Sequence, residues 1–454
     1  MAGPETRSAL ATLEKLASQL PAHLARQDLA ELAVLMRYAE EGAWAFAVYN
    51  TVPVRDEVAG VLHELLSPVP VYEFTLSSQH SNPLDYLADI PRGQSRAVVF
   101  FFDLEQTEGA VWQYLEAERE NLAAHRLGLV FWISRDAWSE GVRAAPNFWS
   151  QRSGVFDFTI QSPQVLTEVR GAWAGQPVRL VGRDDWKRQM RLFGGLLREY
   201  EEEEAPPAAR AGLHGKIAYL LYFDDRNDEA VEHLQQQLTL ARAGGDRRQQ
   251  AEAMNNLGRI AQLQQGRLAA MDWYERALSA AGDDAGARAE SLQNMASALL
   301  GEGEASRALE MLDEALELFR AVGSRLGEAN TLRVIGDVQS FLKENEGALE
   351  SYGDALDLFR AVGDRLGEAN TLLSMAGMHR EIEAGRGMFE QALSLYQAIG
   401  DAYSTARGLY YYGRYLLAHE HEAEAVPLLE RSATMFGERG LSQFAAAARA
   451  AIPK

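Results

Sequence analysis

Apolar residues fall along this chain in two rhythms. Between residues 43 and 165 they come in short unbroken runs: WAFAVYN (44–50), VPVYEFTL (69–76), RAVVFFFD (96–103), LGLVFWIS (127–134) and VFDFTI (155–160). Runs with no polar alternation belong to strands covered on both faces, as in a parallel sheet. Helical spacing fills the gaps at 55–66, 84–90, 107–125 and 136–143. The pattern predicts a five-stranded parallel α/β domain over residues 43–165.

Ahead of it, Leu10, Leu13, Leu16 and Leu20 form one helical stripe, and Leu29, Leu32, Leu35 and Met36 begin another. Pro21 parts them and suits a first helical turn. Residues 1–42 are therefore expected to pack on the α/β domain. Behind the domain, 166–205 predicts a helical linker whose helix, 184–204, carries Trp186, Met190, Leu192, Phe193, Leu196 and Leu197. It ends in Glu201–Glu204 before Pro206-Pro207. Carboxylates at a helix C-terminus oppose the macrodipole, so this end is expected to fray.

From there on the rhythm is helical throughout, and it repeats. Residues 314–332 read EALELFRAVGSRLGEANTL and residues 354–372 read DALDLFRAVGDRLGEANTL, 40 positions apart. Extended outwards, the period places a small residue at Ala218, Gly258, Ala296, Gly336, Ala376 and Gly413. Another falls at Ala230, Ala270, Ala308, Ala348, Gly385 and Ala425, with a large one four further on: Leu234, Tyr274, Leu312, Tyr352, Phe389, Leu429. Small positions let two antiparallel helices approach, and the large neighbour fills the groove. This pattern resembles the tetratricopeptide repeat over residues 206–440, six units, mostly in a 40-residue form. Two units are shortened at a helix end or turn, one at 278–282 and one between Arg380 and Gly385. Residues 441–454 then supply a capping helix, SQFAAAARAAI (442–452), of the kind such arrays need. The fold class expected is α/β plus all-α, a parallel-sheet domain followed by an α-solenoid.

Composition narrows the function. The net charge is −21 and there is no cysteine. Disulfides, thiolate catalysis and cysteine-based zinc sites are excluded together. The acidic balance argues against nucleic acid, whose phosphates need basic patches. No apolar run reaches the length of a membrane helix, and MAGPETRSALATLEKL has no apolar signal core. The expectation is a cytoplasmic protein, with an arginine-rich composition that suits a GC-rich or thermophilic bacterial source.

A parallel sheet invites a search for a nucleotide site at its strand ends. After the first strand stands Tyr49-Asn50-Thr51-Val52-Pro53-Val54-Arg55-Asp56, without the glycines and lysine of a phosphate loop. The third strand does end in Asp103-Leu104-Glu105, the order in which an ATPase places its magnesium ligand and water-activating residue. Without a phosphate loop, Asp103 reads as a cap of the helix beginning near Thr107 or as a residue of a solvated loop. Together AVVFFFDLE (97–105), AERENL (117–122), LVFWIS (129–134) and APNFWSQRSGVFDF (145–158) resemble the N-terminal module of bacterial repeat proteins related to STAND regulators. That resemblance implies a P-loop-like fold with a decayed phosphate loop. A vestigial nucleotide site would then comprise Asn50, Asp103, Glu105, Arg135 and Arg152. Phe148, Trp149, Phe156 and Phe158 read as core.

Other catalytic templates are missing, including HExxH, GxSxG and metal-ligand histidine spacing, so neither an enzyme nor a cofactor is expected. The repeat resemblance instead implies a groove lined by first helices. Its candidate residues are Asn255, Arg259, Gln262, Gln293, Asn330, Arg333, Asp337, Asn370, Arg380, Arg407, Tyr410 and Arg414. Asn and Arg in such places can bond an extended peptide backbone or hold carboxylates. The sequence thus predicts a regulatory or scaffold protein binding a peptide or protein segment. A nucleotide-controlled switch using ATP or GTP is the rival reading, and self-assembly through the repeats a third.

Overall fold

The computed structural model describes residues 25–38, 42–88, 90, 97–175, 178, 183–300, 304–439 and 441–453. The stripe expected at Leu10–Leu20 lies outside them. The chain divides into two compact units, Met1–Gln176 and Pro177–Lys454. Among the described residues no helix is long and apolar enough to cross a membrane.

In the first unit α1 (Arg26–Tyr38) precedes five strands: β1 (Ala43–Tyr49), β2 (Val71–Thr75), β3 (Val98–Phe102), β4 (Gly128–Ser134) and β5 (Gly154–Asp157). Helices α2 (Val52–Leu66) and α3 (Pro83–Leu87) flank β2, and α4 (Ala110–Ala117) and α5 (Arg119–Ala124) lead into β4. Then come α6 (Arg135–Ala144), α7 (Pro146–Ser150) and, after β5, α8 (Pro163–Gly175). All five strands are parallel, in the order β2-β3-β4-β1-β5. β1, β3 and most of β4 are buried, as unbroken apolar runs require. One face is aromatic, with Phe46 and Phe101 each 5.3 Å from Phe131 and Trp149 3.9 Å from Phe46. Phe148, Trp149, Phe156 and Phe158 are buried, as their sequence context predicts.

The second unit is helical throughout. It starts with α9 (Arg183–Glu202) and continues as six antiparallel pairs. These are α10 (Pro207–Phe223) with α11 (Asn227–Ala243), α12 (Arg247–Gln264) with α13 (Arg267–Ala281), and α14 (Ala285–Leu299) with α15 (Ala305–Ala321). They continue with α16 (Arg325–Phe341) and α17 (Asn345–Val362), α18 (Arg365–Ala376) and α19 (Ile382–Ile399), and α20 (Ala402–Ala418) and α21 (Glu422–Glu438). A last helix, α22 (Ser442–Ala450), follows and packs on α21.

The small-against-large rule read from the sequence is visible in the packing. A Cβ on Gly258 would lie 2.4 Å from the Tyr274 ring, and one on Gly336 would lie 2.7 Å from Tyr352. Each glycine lets the tyrosine of the paired helix seat against bare backbone, at the cost of a weaker helix former. First helices also begin on a repeated cap. Asp246, Asp284, Ser324, Asp364 and Asp401 each accept an amide one to three residues into the helix.

Candidate functional site

The strand ends of the α/β unit are the first place to look. β1 reaches α2 through Asn50 and Thr51 alone, so no loop is long enough to wrap a phosphate. Asn50 clamps the segment after β5 instead. Its Nδ2 donates to the Ile160 carbonyl at 2.8 Å and its Oδ1 accepts from the Ile160 amide at 2.9 Å. Thr51 Oγ1 accepts from Arg170 Nε on α8 at 3.2 Å.

Arg55, in the first turn of α2, is fully buried, and its guanidinium lies against Tyr49 at the end of β1 and Phe102 at the end of β3. Its Nε donates to Asp56 at 2.8 Å, and its Nη1 donates to Asp103 in a short ion pair. Tyr49 OH, 3.4 Å from the same Nη1, donates to Glu105 Oε1 at 2.5 Å. The ring of Phe102 lies 5.2 Å from the guanidinium carbon. Burial alone would discharge Arg55, but Asp56 and Asp103 reverse that and hold its pKa well above the ordinary value. Burial and the neighbouring Asp103 raise the Glu105 carboxyl, and burial with Glu105 raises Tyr49. Asp103 does not cap the 3-10 turn that follows it. Its carboxylate is taken by Arg55.

The other two arginines of this set are also engaged. Arg135 pairs with Asp157 at 2.7 Å, and Arg152 donates to the Trp149 carbonyl at 2.6 Å. The fold brings Asp103 and Glu105 together, joined through Arg55 and Tyr49, while Asn50, Arg135 and Arg152 serve other contacts. Sequence reasoning named Asp103 and Glu105 but missed Arg55. One signal was present. Val52, Arg55, Ala59, Leu62 and Leu66 make one helical stripe, all buried, and a cation on such a stripe demands an acid.

In the helical unit the first helices of the pairs face a common groove. Tyr222 of α10 is influenced electrostatically by Asp401, the cap of α20, and by Arg407 within it, although these helices begin and end the series. The two ends also meet directly. Asp225, in the turn after α10, accepts from Arg439 Nε at 2.6 Å. A cavity of about 310 Å³ beside this pair is lined by Trp186, Phe223, Gln397 and Asp401 among others. The pairs thus wind through about one turn, and their ends are clasped by side chains.

The candidate groove residues divide by what holds them. Asn255 is fully buried and donates to Ser291, tying α12 to α14. Gln262 accepts from Tyr274, and Gln293 accepts from Thr331. Asp337 accepts from Tyr352 at 2.7 Å and from Ser374 at 3.1 Å. Two arginines are neutralised locally, Arg259 by Glu290 at 3.5 Å and Arg333 by Asp337 at 2.7 Å. Asn330 donates to the Leu326 carbonyl. Asn370 accepts from Tyr396 at 2.8 Å and from Arg407 at 2.5 Å. Arg414 donates weakly to Tyr410 at 3.4 Å, and Arg380 is exposed.

The sequence model of the tetratricopeptide-repeat family matches residues 209–283 and 287–361, the first four helix pairs. The helical array is built of tetratricopeptide repeats (TPRs). The last two helix pairs keep the same helix order and continue the series without a break. No curated protein sequence matches the chain significantly. Among solved structures it is similar to a Rap protein complexed with competence and sporulation factor, at 13% identity, covering 64% of this chain and 91% of that one, with a TM-score of 0.44. It is also similar to a signal-transduction ATPase with numerous domains (STAND) carrying a TPR sensor, from Pyrococcus horikoshii, at 10% identity over 93% and 84% of the two chains, TM-score 0.41. A third is aspartyl phosphate phosphatase F from Bacillus subtilis, at 13% identity over 95% and 94%, TM-score 0.37. At these scores the likenesses carry no function to this chain.

Proposed function

We propose that this TPR protein captures an extended peptide or protein segment along the concave face of its array, and that it does so without catalysis. The observation that carries this reading is the row of polar and aromatic side chains on successive first helices, from Tyr219 and Arg259 to Arg407 and Tyr410. TPR arrays bind partners through such faces, and Asn and Arg there supply backbone and carboxylate hydrogen bonds. The reading makes the protein a scaffold or regulator, with its α/β unit a P-loop-like fold that has lost nucleotide chemistry. Arg55 supports that last point, because an ion-paired guanidinium occupies the acid a magnesium ion would require.

The test is affinity capture with the full-length chain, quantified by mass spectrometry. One variant reverses Arg333 and Arg414 to glutamate, and a control reverses Arg276, which pairs with Asp272 on second helix α13. Partners held by the parent and the control but released by the groove variant support the reading. Partners held equally by all three contradict it.

A further inference from the structure

The charge of the concave face is unevenly spent. In the second to fourth TPR pairs each groove arginine has an acid beside it, Arg259 with Glu290 and Arg333 with Asp337. In the last two pairs the described residues supply none in ion-pair contact with Arg380, Arg407 or Arg414. Arg407 is half-buried in the wall, where Asn370 Oδ1 at 2.5 Å and Tyr396 OH at 3.5 Å hold its Nη2, and both are neutral. Its Nε is buried without a partner. Asp401, whose carboxyl Arg407 draws downward against the larger effect of burial, is held at its own helix cap by the Ser404 amide at 2.8 Å. Arg414, two turns further along α20, leans over the Tyr410 ring at 5.7 Å.

Burying a guanidinium among neutral groups is costly unless an anion completes it. On a chain whose net charge is −21, two arginines of one helix without an ion-paired acid, Arg407 and Arg414, stand apart, while Arg380 lies in the turn after α18. We infer that the C-terminal end of the groove, α18 to α20, is the specificity end, and that the segment it receives is acidic. This deepens the peptide-binding reading and rests on it. One carboxylate of the segment makes charge-assisted hydrogen bonds to Arg407 beside Asn370. A second reaches Arg414, whose Cα lies ~10.5 Å along the helix from that of Arg407. About three residues of extended chain cover that distance. Tyr410 flanks the path with a ring face.

A library of randomised dodecapeptides selected on the full-length chain tests this. The expected result is enrichment of sequences with two Asp or Glu residues about three positions apart. Their binding should fall at least tenfold in Arg407→Ala and in Arg414→Glu, and weaken as salt rises. Arg414→Glu keeps the test sound if Arg407→Ala disturbs the wall, because Arg414 is exposed and, among the described residues, bonds only Tyr410. Helicity by circular dichroism monitors both. Enriched peptides without acidic residues that lose binding on Gln293→Ala or Asn330→Ala would overturn this inference and leave the groove reading standing. Peptides insensitive to every groove substitution, or no selected peptide at all, would overturn both. A chain that dimerises, loses the dimer in Arg414→Glu and selects no peptide would put a second copy on this wall, and that too would overturn the inference.

Discussion

Replacing Arg55 by methionine removes the one cation from a buried cluster and leaves its volume nearly filled. Arg55 is fully buried, Asp56 and Asp103 are each 5% exposed, and both carboxylates rely on the guanidinium. Deleting one partner of a buried ion pair strands the other charge, which costs ~3–5 kcal/mol. Here two acids are stranded, so the loss should sit at the upper end of that range, in the α/β unit alone. The assay is urea unfolding followed by tryptophan fluorescence. Trp44, Trp112, Trp132, Trp138, Trp149 and Trp173 lie in that unit, and only Trp186 and Trp273 in the array. Two transitions are expected, and only that of the α/β unit, which carries most of the fluorescence change, should shift. Adding Asp103→Asn to Arg55→Met should recover part of the loss, a positive coupling. An Arg55→Met protein as stable as the parent would refute the reasoning, because the cluster would then not be held by charge.

Further outcomes follow from the same geometry. ATP, ADP and GTP with magnesium should leave the melting temperature unchanged at millimolar concentration, whereas a ligand at 100 times its Kd would add about 2.7 kcal/mol. Tyr352→Phe should cost the array about 1 kcal/mol, because the Tyr352 hydroxyl donates to Asp337 at 2.7 Å. His214 and His233 face each other with Nδ1 atoms 2.9 Å apart, and burial, with His233 adding to it, lowers the His214 pKa to about 4. The unfolded chain takes up that proton near 6.5 and the folded one only near 4, so array stability should fall between those values as pH drops. The loss should be up to ~3 kcal/mol by equilibrium unfolding and smaller in His214→Gln, where His233, also lowered by burial, still contributes. Arg439→Ala should change stability by less than about 1 kcal/mol, since the Asp225 pair is partly exposed, yet separate the array's ends. Dyes on cysteines introduced beside the clasp would report this by energy transfer, with no native cysteine to compete.

The strands and the TPR helices were legible because burial leaves a periodic trace. β1, β3 and β4 are covered on both faces, so their residues had to be apolar without alternation, and WAFAVY or VVFFF admits few other readings. The repeats showed themselves through glycine and alanine, since Gly336 is tolerated in a helix only where Tyr352 must pass. What stayed hidden were contacts between distant residues of unremarkable type. Asp103 and Glu105 were visible as a motif, but their partners Arg55 and Tyr49 come from another strand and helix, 48 and 56 positions away. The repeat resemblance placed Asn255 on the groove, whereas the packing turns it inwards onto Ser291. The meeting of Asp225 with Arg439 depends on superhelical twist accumulated over six pairs, which no local pattern encodes.

The central claim is that the concave face of the TPR array is the working surface. Hydrogen–deuterium exchange of the full-length chain, with and without a selected acidic dodecapeptide, tests it most directly. The account predicts slowed exchange in α18 and α20, around Asn370 and Arg407, and no change in β1, β3 or the first turn of α2. Protection confined to the strand ends near Asp103, with the array unaltered, would contradict it.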